Sequence, residues 1–233
     1  MVLTHPALKR ISMFGLHFIP LGLCSAAACW LLGIADLPPG AALTAASAVA
    51  VVLAPLFFDA SATLPETLIW NLGAAALGPA LALAWKSAWP HALASTFMIN
   101  FALLALLHAP IWVMRSELTR AFVVTALLIA GAAPLWLGPL AATAAGTQGQ
   151  LGDWTLALSP LVHVAVGSDT DLLRLPWLYS NTPLGSMRFN YPALATVVGA
   201  DCTLALVAWL FVTTTGMRWK SHRTQSTTKE TSK

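Results

Sequence analysis

Charge is scarce in this sequence. Only 9% of its 233 residues are Asp, Glu, Lys or Arg, against roughly 25% in a water-soluble domain. A soluble fold of this size could not cover itself with so few charges. Cysteine is scarce too. Cys24, Cys29 and Cys202 all lie in apolar runs, which excludes a disulfide framework and a zinc-ligand spacing and reads as three buried, inert thiols. No glycine-rich phosphate loop, no HExxH and no paired carboxylates of an intramembrane protease occur. Ser159 and Ser168 lie near His163, but no elbow motif or oxyanion glycines surround them. His163, Asp169 and Asp171 match no metal-loop spacing. No catalytic set and no metal site is therefore assigned, and nothing supports nucleic-acid binding.

What is abundant is hydrophobic sequence, 58% of the chain. It falls into runs of the length a bilayer requires, roughly 20 residues each. Six are predicted to span, as residues 11–34, 41–58, 67–85, 93–114, 121–145 and 193–217. The fold class is an all-α polytopic membrane helix bundle. A positive flank before an apolar run also describes a signal peptide, but the first run is long for one and more spans follow. Residues 1–10 form a polar cytoplasmic head. Residues 11–217 form the transmembrane domain, and residues 218–233 a basic tail too polar to bury, predicted to be disordered.

Cation placement sets orientation. With the N-terminus in the cytoplasm, Lys9, Arg10, Arg115, Arg120, Arg218, Lys220, Arg223, Lys229 and Lys233 lie inside. Lys86, Arg174 and Arg188 lie outside. The positive-inside rule then puts both termini in the cytoplasm of a bacterial-type inner membrane.

One long stretch does not read as a span. Residues 146–192 are rich in Trp, Tyr and Leu and are predicted to lie as an apron on the outer face. Within it, Trp154 to Val166 is apolar, too short to cross, and broken at Ser159–Pro160. This pattern predicts interfacial or re-entrant helices between the fifth and sixth spans. GSDTD, from Gly167, reads as a turn with Ser168 and Asp169 as helix N-caps, before a short helix over 172–179. Trp154, His163, Trp177, Tyr179 and Arg188 are the candidate residues of an external gate or docking surface. A passive lid that seals the bundle is the alternative.

The other candidates are polar side chains within spans, each of which needs a partner or a wet cavity. At about 1.5 Å of rise per residue, His17, His108 and Asn71 fall in an inner layer, and Asp201 and Asn100 in an outer one. Asp201 is expected to pair with Asn100, as a clamp between spans four and six, or with Arg188. It reads as either that clamp or a protonatable site. His17 and His108 at matched depth could ligate a b-type haem; the alternative is that each bonds a neighbouring backbone group, with no cofactor. Thr203, Thr213, Thr214 and Thr215 are expected to bond back to their own helix.

Six helices with both ends inside, short re-entrant helices before the last, and the stretch LALSPLVHVAV from Leu156 to Val166 together resemble the membrane subunit of ABC-2-type exporters, whose permeases often carry a similar SPL stretch late in the chain. The resemblance implies a permease-like transport subunit. Since no nucleotide-binding motif is present, it also implies a separate ATPase chain as partner, or a second copy of this chain, in the membrane lipid. A non-transporting scaffold, assembly or anchoring subunit of a larger membrane complex is the other function class.

Overall fold

The computed structural model describes residues 6–34, 39–59, 62–85, 89–135, 148–171 and 190–230, with side chains placed over 17–31, 40–59, 62–85, 89–135, 153–171 and 190–214. Eight helices make up these residues: α1 (Pro6–Ile34), α2 (Pro39–Phe57), α3 (Leu64–Ala84), α4 (Pro90–Met114), α5 (Glu117–Gly131), α6 (Gln148–Ala157), α7 (Pro160–Gly167) and α8 (Leu194–Glu230). The starts follow local chemistry. Proline, whose missing N–H costs nothing in a first turn, stands at or beside the start of α2, α3, α4 and α7. Before α3, the Thr63 backbone N–H donates to Glu66 Oε2 at 2.7 Å. Before α5, Ser116 Oγ accepts from Leu118 N at 3.2 Å.

Four helical stretches are long and apolar enough to cross a bilayer: Gly40–Phe57, Leu64–Ala84, Pro90–Met114 and Leu194–Thr214. A protein with four such helices fits a membrane. The side chains it exposes agree, since Trp30, Phe122, Leu210 and Phe211 are all more than half exposed. The first run forms a single helix, α1. The fifth run, predicted as one helix over 121–145, begins earlier, at Glu117, and is interrupted after Gly131. The chain turns at Ala132 before residues 133–135 resume helix. Pro134 has no N–H to offer the preceding turn, and the i→i−4 ladder fails there. The basic tail also differs from expectation: α8 continues through it to Glu230. RWKSHRTQSTTKE holds neither Gly nor Pro, so nothing in it stops a helix already nucleated in the apolar run. Cys24 and Cys202 are exposed on the bundle's outer surface, and only Cys29 is buried.

α1 packs on α2 and α3, α3 packs on α2 and α4, and α4 on α8. The core runs from Leu21 through Val51, Phe58, Trp70 and Ala74 to Ile99, Leu104 and Ile111, and includes Val164 of α7 and Val197 of α8. Small residues let the backbones approach. A Cβ on Gly78 would collide with Ser47 Oγ on α2, and one on Gly131 would meet Leu161 Cγ on α7 at 2.8 Å. At the end of the bundle where α4 finishes, indole N–H groups tie elements together. Trp112 Nε1 donates to Ala62 O at 3.0 Å and Trp209 Nε1 to Ala105 O at 2.8 Å.

The short helix α7 is not an apron element resting on the surface. It packs against α2, α4, α5 and α8 together, and Val162, Val164 and Ala165 are fully buried. Its sequence, PLVHVAVG, is apolar on every side, which suits a helix surrounded by others.

Candidate functional site

A broken helix pair set among apolar helices carries a cost. Its free N–H and C=O groups cannot turn to water, so protein groups must meet them. The α6–α7 pair meets this demand with specific side chains. Ser159, at the predicted break, caps α7 by accepting from Val162 N at 3.4 Å and donates to Gly131 O at 2.9 Å, the carbonyl freed where α5 is interrupted. Ser95 Oγ of α4 lies 2.5 Å from Gly167 O at the far end of α7. Ser168 is a C-cap of α7 rather than the N-cap predicted from GSDTD. Its hydroxyl lies 3.0 Å from Val164 O and 2.5 Å from Thr44 Oγ1 on α2, and Asp169 turns the chain with φ 55°.

Asn100 performs the same service elsewhere. Pro79 inside α3 has no N–H for Ala75 O, the acceptor four residues back. Asn100 Nδ2 donates to that carbonyl at 3.3 Å. Asn100 therefore ties α4 to α3 and is not the partner of Asp201. The expected clamp between spans four and six is made instead by Trp209 on Ala105 O.

The partner of Asp201 is His163. Nδ1 lies 3.0 and 3.1 Å from the two carboxyl oxygens, and Nε2 lies 2.9 Å from Ala157 O at the end of α6. His163 is 8% exposed and Asp201 2%. A carbonyl only accepts, so Nε2 carries a proton. One further proton must then lie between Nδ1 and the carboxyl group, since otherwise a lone pair would face an anion. Wherever that proton sits, the pair is neutral as a whole, as a buried site requires. Burial works against a charged imidazole here, but the bond to Asp201 and its negative charge outweigh it, and the pKa of His163 is raised above the ordinary 6.5.

His163 was grouped in sequence with the outer surface because it follows the fifth run. The signal for its true position lies in its neighbours: a single ionisable residue inside LVHVAV, matched by another, Asp201, inside VVGADCTLAL. Two lone ionisable groups in apolar helices answer each other.

The inner layer is partly assembled. His108 Nδ1 donates to Asn71 Oδ1 at 2.5 Å, and the Phe58 ring lies 4.4 Å from the imidazole. That bond leaves Nε2 as a buried lone pair without a hydrogen-bond partner among the described residues. His17 is half-buried on α1, and among the described contacts none joins it to His108. Thr203, Thr213 and Thr214 bond back to Gly199, Trp209 and Leu210 as expected. Of the gate candidates, Trp154 is exposed on α6, whereas Trp177, Tyr179 and Arg188, with the predicted helix over 172–179, lie outside the described residues. Near α6 the chain is pinned where α8 begins: Asn190 donates to Asp153 at 2.9 Å, and Tyr191 OH to Asp171 at 2.8 Å.

The polar residues thus divide. Ser95, Ser159, Ser168 and Asn100 serve backbone groups freed by a break or a proline. Asp201 does not, nor does the Nδ1 side of His163, nor do His108 and Asn71; of these two buried contacts, His163–Asp201 is the one that joins two ionisable groups. Set against protein-family models, curated proteins and solved structures, the chain matches none.

Proposed function

We propose that this chain is a permease-like subunit of a membrane transport system, with the α6–α7 pair as its gate. The observation that carries the reading is the broken helix pair, its α7 half folded among long apolar helices with an ionisable pair buried at the α7–α8 contact. Transporters build their sites from discontinuous helices, because irregular backbone within the membrane is tolerated only inside protein or beside a cavity. Ionisable residues at that depth are expensive and serve function by default. In this reading the chain crosses six times, α1 to α5 and α8 being the crossings. Both termini are cytoplasmic, the gate lies on the outer side, and a separate ATPase chain or a second copy supplies the partner.

A scaffold or anchoring subunit is the second reading. It is favoured by α8, whose apolar face is open along Leu204, Val207, Leu210 and Phe211 and whose helix continues beyond the apolar stretch to Glu230, offering a larger complex a rail to bind. Purification from native membranes in mild detergent, with identification of stoichiometric partners, separates the two. A nucleotide-hydrolysing partner is expected for the permease. Recovery only within a redox or other non-transporting assembly overturns it, and an absorption spectrum of the same sample tests a haem held by His17 and His108.

A further inference from the structure

We propose that the His163–Asp201 pair is a proton latch: with one proton shared between the two side chains α7 stays seated on α8, and its loss unseats it. This rests on reading α6–α7 as the moving element of a permease-like subunit, and names what controls it.

Nε2 is committed to Ala157 O at 2.9 Å and keeps its proton in every seated state. The contact between Nδ1 and both carboxyl oxygens therefore holds only while one more proton lies there. Its removal breaks a single N–H or O–H bond, and the proton passes to water or buffer base. What remains is a carboxylate facing a lone pair, one net negative charge, at a site 2% exposed.

Among the described residues, no cation stands ready to compensate. α2 holds no ionisable residue at all. On α4, His91 is exposed at the start of the helix and His108 is held by Asn71. On α5, Arg120 pairs with Glu117 in the first turn at 3.0 Å, far from the Gly131 end that α7 touches. On α6, Asp153 is engaged by Asn190. Asp169 and Asp171, after α7, are acidic and exposed, and Asp171 accepts from Tyr191. On α8, Cys202 faces outward. With the nearby described charges either acidic or engaged, separation of α7 from α8 relieves the deprotonated pair.

The surroundings permit that separation. Trp154 and Leu158 on the α6 side are 66% and 68% exposed, so one flank of the pair is not packed in. The far end of α7 remains tied through Ser168 and Thr44, which makes a pivot. His163, whose folded pKa is raised, contributes seating stability that is fully present below the ordinary histidine pKa. That stability is lost as pH rises through the raised value.

The test is hydrogen exchange on the full chain in lipid nanodiscs across a pH series, corrected for intrinsic rates. For the wild type, protection of 160–167 is expected to fall by up to about tenfold per pH unit above the titration point, the slope of one lost proton, while α3 stays protected. Asp201→Asn is expected to remove that step and keep α7 protected throughout, since an amide N–H can donate to Nδ1 at any pH. A flat wild-type profile, or an unchanged step in Asp201→Asn, overturns the latch. Should that variant fail to fold, ¹⁵N resonance of wild-type His163 decides: an unprotonated Nε2 at mildly acidic pH refutes the proposal, and a protonated Nε2 with a proton shared at Nδ1 supports it. A pH-dependent step in a protein that purifies only with a non-transporting assembly leaves the latch standing and removes the permease.

Discussion

If Asn100 is present because Pro79 left a carbonyl bare, the two residues must be energetically coupled. Replacing Asn100 by Leu removes the donor to Ala75 O, 3.3 Å away, and leaves that carbonyl buried without water. The bond is at the long end of the usual range. Interhelical hydrogen bonds in membrane proteins average about 0.6 kcal/mol, with a maximum near 1.7 kcal/mol. Pro79→Ala supplies the missing N–H and closes the α3 ladder, after which loss of Asn100 should cost less by that amount. The buried Asn100 Oδ1, which lacks a hydrogen-bond partner among the described residues, is removed in both backgrounds, so its contribution cancels from the cycle. A four-variant cycle of unfolding free energies, measured by denaturant titration in mixed micelles, is expected to give a coupling of about 0.6–1.7 kcal/mol. Additivity within about 0.3–0.5 kcal/mol, the scatter of independent sites, would refute the pairing of proline and amide.

Other outcomes follow from the same contacts. Gly131→Leu forces side-chain atoms into Leu161, 2.8 Å from the new Cβ, and is expected to cost about 1–3 kcal/mol of stability. Leu210→Ala on the exposed face of α8 should be close to neutral in the same detergent melt. Ser159→Ala removes both the α7 cap and the donor to Gly131 O and is expected to destabilise by about 1–2 kcal/mol, with proteolysis increasing first at the α6–α7 break. Between mildly acidic and alkaline pH, wild-type thermal stability should fall as His163 loses its proton, because the raised folded pKa means that the folded state binds the proton more tightly. His163→Gln should flatten that dependence.

Much of this architecture was legible because membrane helices are written in length and composition. The break at Ser159–Pro160 was visible in a serine-proline pair within an apolar stretch, and Thr203, Thr213 and Thr214 were correctly read as bonding to their own helix, the side chain of Thr215 lying outside the described residues. What could not be read was which polar residues meet. Depth along a helix places Asp201 and Asn100 at comparable levels, but depth carries no information about facing. Asn100 turned toward α3 because Pro79 had bared a carbonyl there. Asp201 turned toward a helix that the sequence left as either interfacial or re-entrant. His163 was named as a gate candidate, but its pairing with Asp201 was not read: the insertion of α7 among α2, α4, α5 and α8 is a tertiary fact, signalled by the largely apolar character of PLVHVAVG. The fifth run was read as a single span over 121–145, although Pro134 within it lacks the N–H that the helix ladder needs, and α5 ends at Gly131. The helical continuation of α8 was missed because low hydropathy was read as disorder, although hydropathy decides burial and not backbone conformation.

α7 lies inside the bundle, and the contact between Thr44 and Ser168, whose hydroxyl oxygens are 2.5 Å apart, tests that placement most directly. In a variant with Cys24, Cys29 and Cys202 replaced by serine, Thr44→Cys together with Ser168→Cys brings two thiols within the short Cβ separation a disulfide requires. Mild oxidation of native membranes should link 44 to 168 within one chain, seen as a joined peptide after proteolysis, while either single cysteine resists a membrane-impermeant maleimide. Failure to cross-link, with position 168 freely labelled from the aqueous side, would place α7 on the surface and contradict the account.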